Sequence, residues 1–255
     1  MDDMIESVSP GLEKFEGESL EYLESLNLLS RFDTKFIVPA GLLPSIIDSM
    51  HKNYSILEIA GNRIFHYDSR YFDTPEYYFY TQHHNGRRNR SKVRYRHYKE
   101  TGVYHFEIKN KNNIAGTTKD IINATGIEAQ ITGSEADFIR EKLGMDPALL
   151  FPKLAVSYTR LNFIGIACPE KVTIDMNIRF KNTVNSFSLD DIALIEVKQK
   201  KTDYNCPLMQ KLKSLNIHQS NGFSKYCIGL ALTDCKVKYN RFKPKLQVIK
   251  KLMEN

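Results

Sequence analysis

The feature that most constrains this chain is a series of short segments in which charged and apolar residues alternate one by one. In Lys92-Val93-Arg94-Tyr95-Arg96 the cations fall on every second position. Successive side chains of a β-strand point to opposite faces, so Lys92, Arg94 and Arg96 share one face and Val93 and Tyr95 take the other. The pattern recurs along 105–111, where Glu107, Lys109 and Lys111 oppose Phe106 and Ile108, and along 196–200, where Glu196, Lys198 and Lys200 align. Lys171 with Asp175, Arg31 with Asp33 and Lys35, and Tyr158 with Arg160 follow the same rule. One such strand is ordinary, because antiparallel sheets commonly keep one wet face. Six of them differ from the usual wet face, since Arg and Lys dominate and each acid sits beside cations. In a sheet that closes on itself these faces point inward. A cation-filled interior repels itself when empty and so calls for a bound polyanion. Arg offers a planar fork that matches phosphate oxygens, and Lys a mobile point charge.

Around these strands the chain reads as α+β. Leu12, Phe15, Leu23, Leu26 and Leu29 predict a helix over 12–29, and Leu42, Leu43, Ile46, Ile47 and Met50 a second one. Strands are expected over 31–38, 63–72, 91–99, 103–111, 119–124, 153–164, 170–180 and 192–200. Thr101-Gly102 reads as a hairpin turn. Ser134 with Asp137 resembles a capping box for a helix through Leu143, which Gly144 ends. Leu208, Leu212 and Leu215 predict a helix after Pro207, and 224–232 a last one. We divide the chain into an N-terminal helical segment (1–27), a main domain (28–235) and a loose basic tail (236–255).

Hydrophobic residues at 42% with 26% charged residues exclude disorder, and the formal charge of +6 implies attraction to polyanions without choosing among them. The N-terminus lacks the layout of a signal peptide, and no apolar run approaches the roughly 20 residues that span a bilayer. Cys168, Cys206, Cys227 and Cys235 are scattered, which suits reduced thiols in a cytoplasmic protein and offers no zinc spacing. His83-His84 reads as surface, and Tyr71-Phe72 as core of the sheet wall. There is no P-loop, and no Ser-His-Asp or Cys-His arrangement is readable.

An ordered series of short motifs resembles the VTC-type polyphosphate polymerase domain of the CYTH-like, or triphosphate tunnel metalloenzyme, superfamily. It runs from Arg31-Phe-Asp-Thr-Lys35-Phe36 through Tyr71-Phe72-Asp73-Thr74, Arg94-Tyr-Arg96, Phe106-Glu-Ile-Lys109 and Tyr158-Thr-Arg160 to Thr173-Ile-Asp175, Ile195-Glu196-Val-Lys198 and Phe223-Ser224-Lys225-Tyr226. The resemblance implies an eight-stranded antiparallel β-barrel, or tunnel, with flanking helices. It implies an enzyme that moves the terminal phosphate of ATP onto a polyphosphate chain with Mn²⁺ or Mg²⁺. Carried over by position, Lys35, Arg94, Arg96, Lys109, Arg160 and Lys198 form the catalytic set. Arg31, Lys111, Lys119, Lys171, Ser224 and Lys225 bind phosphate. Glu196 holds the metal, with Glu107 and Asp175 as weaker candidates.

Three departures stand out. Lys171 replaces the family's usual Arg before the Thr-x-Asp strand, and Gly222 stands where a basic residue is common. The Glu-x-Glu-x-Lys of the tunnel metalloenzymes is reduced to Asp33 with Lys35, which tilts the reading from triphosphate hydrolysis towards polymerisation. A hydrolase of the same fold, a polyphosphate sensor, and a basic nucleic-acid module built on Arg87, Arg88, Arg90 and Lys92 are the alternatives. The substrates implied are ATP or another triphosphate and polyphosphate. Nucleic acid is the less favoured partner, and a membrane-protein partner is left open.

Overall fold

The computed structural model describes residues 3–26, 32–112, 116–220 and 222–254. In chain order its elements are α1 (Asp3–Leu12), β1 (Gly17–Glu18), α2 (Leu20–Ser25), β2 (Phe32–Pro39), α3 (Leu43–Met50), β3 (Tyr54–Leu57), β4 (Phe65–Asp73) and α4 (Tyr78–His84). Then come β5 (Arg90–Tyr98), β6 (Val103–Lys111), β7 (Thr117–Ala124), α5 (Gly133–Leu143), β8 (Phe151–Gly165) and β9 (Glu170–Lys181). The chain ends with β10 (Ser186–Leu189), β11 (Ile192–Gln199), α6 (Pro207–Ser214), α7 (Lys225–Thr233) and α8 (Lys243–Met253).

Eight strands pair antiparallel in the order β2-β11-β9-β8-β4-β5-β6-β7, and β1, β3 and β10 are appended at the sides. This is the predicted α+β antiparallel sheet, curled like a tunnel but not closed: among the described residues β2 and β7 do not pair. The free edge of β2 is taken instead by the segment before α7. Ser220 donates its N–H to the carbonyl of Lys35 at 2.7 Å, and Phe36 bridges Gln219. That segment lies along the β2 edge around Lys35 and Phe36, where β7 would have to pair to close the sheet.

Three apolar clusters hold the sheet. On the outer side of β2, β11, β9 and β8, helices α1, α3 and α6 cover Val38, Leu161, Val172, Ile174 and Ile195. Phe138 and Ile139 of α5 pack on Val93, Tyr95, Phe106 and Ile108. The third cluster lies inside the curl, where α7 is buried against Leu154, Val156, Ile178 and Phe180. Gly229 makes that contact possible, since a Cβ there would lie 2.5 Å from Phe180 Cδ1 and 2.6 Å from Leu154 Cδ2. So α7 fills one half of the interior and aims its N-terminus into the other half.

Several local expectations are corrected. The single helix over 12–29 is α1 and α2 with β1 between them, because Ser19 caps α2 by accepting the N–H of Tyr22 at 3.2 Å. Residues 27–29 of that expectation lie outside the described residues. Helix α5 is capped at Thr132 rather than Ser134, whose hydroxyl donates to Glu135 at 2.9 Å, while Gly144 ends it at φ +61° as anticipated. The supposedly loose tail folds as α8, docked through Phe242 and Ile249. His83 and His84 are half-buried rather than on the surface, with His84 stacked on Tyr80. No helix among the described residues is long and apolar enough to cross a membrane.

Candidate phosphate-binding site

The unfilled half of the curl is a cavity of about 240 Å³. It is lined by Lys35, Arg94, Arg96, Lys109, Lys119, Arg160, Lys198 and Lys225, by the acids Asp33, Glu107, Asp175 and Glu196, and by Tyr71, Tyr158 and Ser224. All six residues of the expected catalytic set and all three carboxylates named as metal candidates therefore converge. Of the expected phosphate ligands, Lys119, Ser224 and Lys225 converge too. Lys111 does not: it is exposed, opposite Arg90 at the end of the β5–β6 ladder. Lys171 is opposite Lys198, outside the lining residues. Arg31 lies outside the described residues.

Strand register explains the convergence. Glu196 faces Lys35 across β11 and β2, Arg160 faces Asp175 across β8 and β9, and Arg94 faces Glu107 across β5 and β6. Directly opposed residues of opposite charge stabilise a sheet pair, and here each acid is embraced by two cations. Glu107, 1% exposed, accepts from Arg94 Nε at 2.7 Å and meets Lys119 at 3.5 Å. Asp175 takes Arg160 in a bidentate pair at 2.5 and 2.8 Å and also holds Lys225. Glu196 lies 2.7 Å from Lys35 and 3.5 Å from Lys198. Burial alone would raise all three carboxyl pKa values. The surrounding cations reverse that and hold each below the ordinary carboxylate range, Glu196 well below it.

Two other lysines of this interior lack such a close partner. Lys92 and Lys109 are directly opposed across β5 and β6, and Lys109 faces Lys119 across β7. Among the described residues neither Lys92 nor Lys109 has a carboxylate within ion-pair distance. Burial first, and then neighbouring cations, push Lys92 down to about 8 and Lys109 down to about 7, with the more distant Glu196 and Asp33 offsetting part of the shift at Lys109. Lys92 lines the cavity but was absent from the expected ligand set, although its place in the alternation put it on the face of Arg94.

An aromatic group shapes the cavity wall beyond Arg94. Tyr67 and Tyr158 stack with ring centroids 5.0 Å apart. The Arg96 guanidinium lies 5.4 Å from the Tyr67 ring and 5.9 Å from that of Tyr158, which also carries Lys225 Nζ at 4.4 Å. The Tyr158 hydroxyl is buried with no hydrogen-bond partner among the described residues. Tyr71, foreseen as wall, is buried and accepts from Arg94 Nη1 at 2.8 Å.

The Asp73 carboxylate ties this wall to α7. It is fully buried, accepts the N–H groups of Thr74, Phe79 and Tyr80 at 2.8 to 2.9 Å, and receives the Tyr226 hydroxyl. Ser224 caps α7 by accepting the N–H of Cys227. The first turn of that helix therefore presents Lys225 and the positive end of the helix dipole to the cavity.

The same fold recurs in solved structures. One is a candidate adenylate cyclase from Bacillus halodurans, at TM-score 0.50 and 16% identity, covering 77% of this chain and 96% of that one. Another is the candidate adenylyl cyclase HpAC1 from Hippeastrum, described as revealing a dominant triphosphatase activity, at TM-score 0.53 and 11% identity, covering 81% and 97%. At these identities the likeness is one of fold. The chain belongs to the VTC domain family, whose model matches residues 30–233. No curated protein matches it.

The divalent cation expected from the sequence resemblance can be set against the donor set. No group of three or more His, Cys, Asp or Glu side chains among the described residues could cage one. Mg²⁺, however, is commonly held by one or two carboxylates together with substrate phosphate oxygens. Glu196 fits that mode: it is tied to two lysines, neither in a bidentate clasp. Glu107 and Asp175 are each clasped by an arginine and fit it less well.

Proposed function

We propose that this protein is a polyphosphate polymerase, moving the terminal phosphate of ATP onto a polyphosphate chain gripped in the cavity. The observation that carries the reading is the charge layout of the cavity. Glu107, Asp175 and Glu196 are engaged as counter-ions of Arg94, Lys119, Arg160, Lys225, Lys35 and Lys198, and the opposed pair Lys92 and Lys109 is left for a polyanion. Hydrolysis needs an activated water, and the buried carboxylates Glu107, Asp175 and Glu196, each paired with cations that lower its basicity, are poor bases for it. Transfer to a phosphate acceptor needs no such base, because the acceptor oxygen is already anionic. Phosphoryl transfer of this kind rests on positioning and charge stabilisation.

Arg94, Arg96 and Arg160 lie together on one wall and hold the transferred group, each guanidinium matching two phosphate oxygens. Lys225 and the α7 N-terminus neutralise charge from the opposite side. Lys35, Lys109 and Lys198 grip the neighbouring phosphates. A divalent cation at Glu196 would supply charge neutralisation on the donor phosphates. The test is incubation with ATP and Mn²⁺. The reading expects long phosphate chains on a gel together with ADP. Free phosphate as the sole product would overturn it in favour of a triphosphate hydrolase, the activity described for the Hippeastrum protein.

A further inference from the structure

The chain's positive charge is not spread evenly. Residues 236–255 hold seven of its 36 Lys and Arg and only one of its 30 Asp and Glu, so this short segment carries the whole net charge of +6 and the other residues balance. The segment folds back against the end of α4, just before β5 begins. Arg241 lies so close over Gly86 that a Cβ there would be 2.4 Å from Arg241 Nη1, and its backbone N–H approaches His84 Nε2 at 3.5 Å. Between it and the cavity stands Arg90, two residues from Lys92 on the same strand face and opposite Lys111 in register. Arg90 Nη1 donates to the Arg87 carbonyl at 2.7 Å, while its Nε is buried with no hydrogen-bond partner among the described residues. Burial first, and then Arg241, lower the Arg90 pKa, which places the two guanidinium groups within electrostatic reach.

Charge compensation therefore falls off outward along one line. Deep in the cavity Arg94 is matched by Glu107. At the mouth Lys92 faces Lys109 and Arg90 faces Lys111 with no acid between them. On the surface Arg241, Lys243 and Lys245 follow. A row of like charges without counter-ions costs stability and has no reason to be continuous with a phosphate-binding cavity unless an anionic chain runs along it. From this continuity, and resting on the polymerase reading above, we infer that the N-terminal part of α8 and the Arg90–Lys111 mouth form an outer tract that binds the polyphosphate chain where it emerges from the cavity. The tract's ligand is a flexible linear polyanion longer than the cavity. A triphosphate is too short to reach it.

The test compares ligand lengths on the full chain. Affinities for tripolyphosphate and for long-chain polyphosphate are measured at low and moderate salt, in the wild type and in a triple variant, Arg241→Gln, Lys243→Gln and Lys245→Gln. A control triple variant, Lys14→Gln, Lys52→Gln and Lys213→Gln, removes the same charge from exposed positions on the α1–α3–α6 side. The tract predicts that the wild type binds the long chain more tightly than tripolyphosphate. It also predicts that the α8 variant alone loses long-chain affinity, by about tenfold or more at low salt, with a shallower salt dependence. Tripolyphosphate affinity is expected to stay level in the α8 variant, which also reports that the fold is intact. Equal long-chain losses in both triple variants would reduce the effect to net charge and overturn the tract. Retained long-chain affinity would overturn it too, as would a larger loss for duplex DNA or anionic vesicles than for polyphosphate. Failure of the wild type to bind tripolyphosphate at all would instead count against the polymerase reading itself.

Discussion

Lys92 and Lys109 make triphosphate affinity a steep function of pH. They face each other across β5 and β6 with no acid at ion-pair distance among the described residues, and their pKa values fall to about 8 and about 7. A bound polyanion supplies the missing counter-charge and returns both lysines to the charged state. Because their folded-state values lie below the ordinary lysine range, the cost of charging them is complete below pH 7 and fades as pH rises through 7 and 8. Binding must therefore take up protons above neutrality. If both lysines are charged in the complex, raising pH from 7 to 9 weakens binding by roughly 500-fold, since each pKa unit between ambient pH and pKa is a factor of ten. A phosphate monoester's second ionisation lies near pH 6, so the ligand's own charge changes little over this range. Calorimetry of a non-hydrolysable nucleoside triphosphate in buffers of different ionisation heat reads the uptake directly, and approaches two protons at pH 9. Lys109→Gln should remove about one of these protons and flatten the profile accordingly. Affinity that is level from pH 7 to 9, or proton release on binding, would refute the uncompensated-ladder argument.

Further outcomes follow from other contacts. Glu196→Gln should abolish metal-dependent turnover while metal-free triphosphate binding persists, read by product analysis beside a binding titration; unchanged turnover would show that the metal role is misassigned. Arg94→Ala removes a phosphate ligand and leaves Glu107 buried with only the more distant Lys119, so denaturant unfolding should show a loss of roughly 3–5 kcal/mol, in the range for breaking a buried ion pair. Asp73→Ala strands three buried N–H groups and the Tyr226 hydroxyl, and should cost at least as much as one orphaned buried pair, about 1–3 kcal/mol, while loosening α7 and weakening triphosphate binding. Gly229→Ala should destabilise by about 1–3 kcal/mol, the usual cost of overpacking, because Phe180 and Leu154 occupy the space of its new methyl group.

Much of the site was legible because period-two alternation fixes which face a side chain takes. It does not fix how far along that face the cavity extends. Lys111 and Lys171 share faces with true lining residues yet sit one step too far out, and Lys92 was passed over though it shares the face of Arg94. Local rules likewise could not show that 219–220 cap the β2 edge and leave the sheet open, a contact between segments some 180 residues apart. Nor could they show that α7, apolar nearly all round, is an interior helix rather than a flanking one. The apolar spacing over 12–29 misled because Leu12 and Phe15 are buried in one cluster while Leu23 packs, half-buried, against another. The Asp73 anchor carried a signal, an acid closing an apolar strand before a polar turn, but its partners Tyr226 and Tyr80 are tertiary.

The account stands most directly on where a triphosphate binds. A crystal structure of the protein with a non-hydrolysable ATP analogue and Mn²⁺ should place the terminal phosphate within hydrogen-bond distance of Arg94, Arg96 and Arg160, with the metal between Glu196 and the phosphate oxygens. A nucleotide bound on the outer surface, with the cavity holding only water, would contradict it.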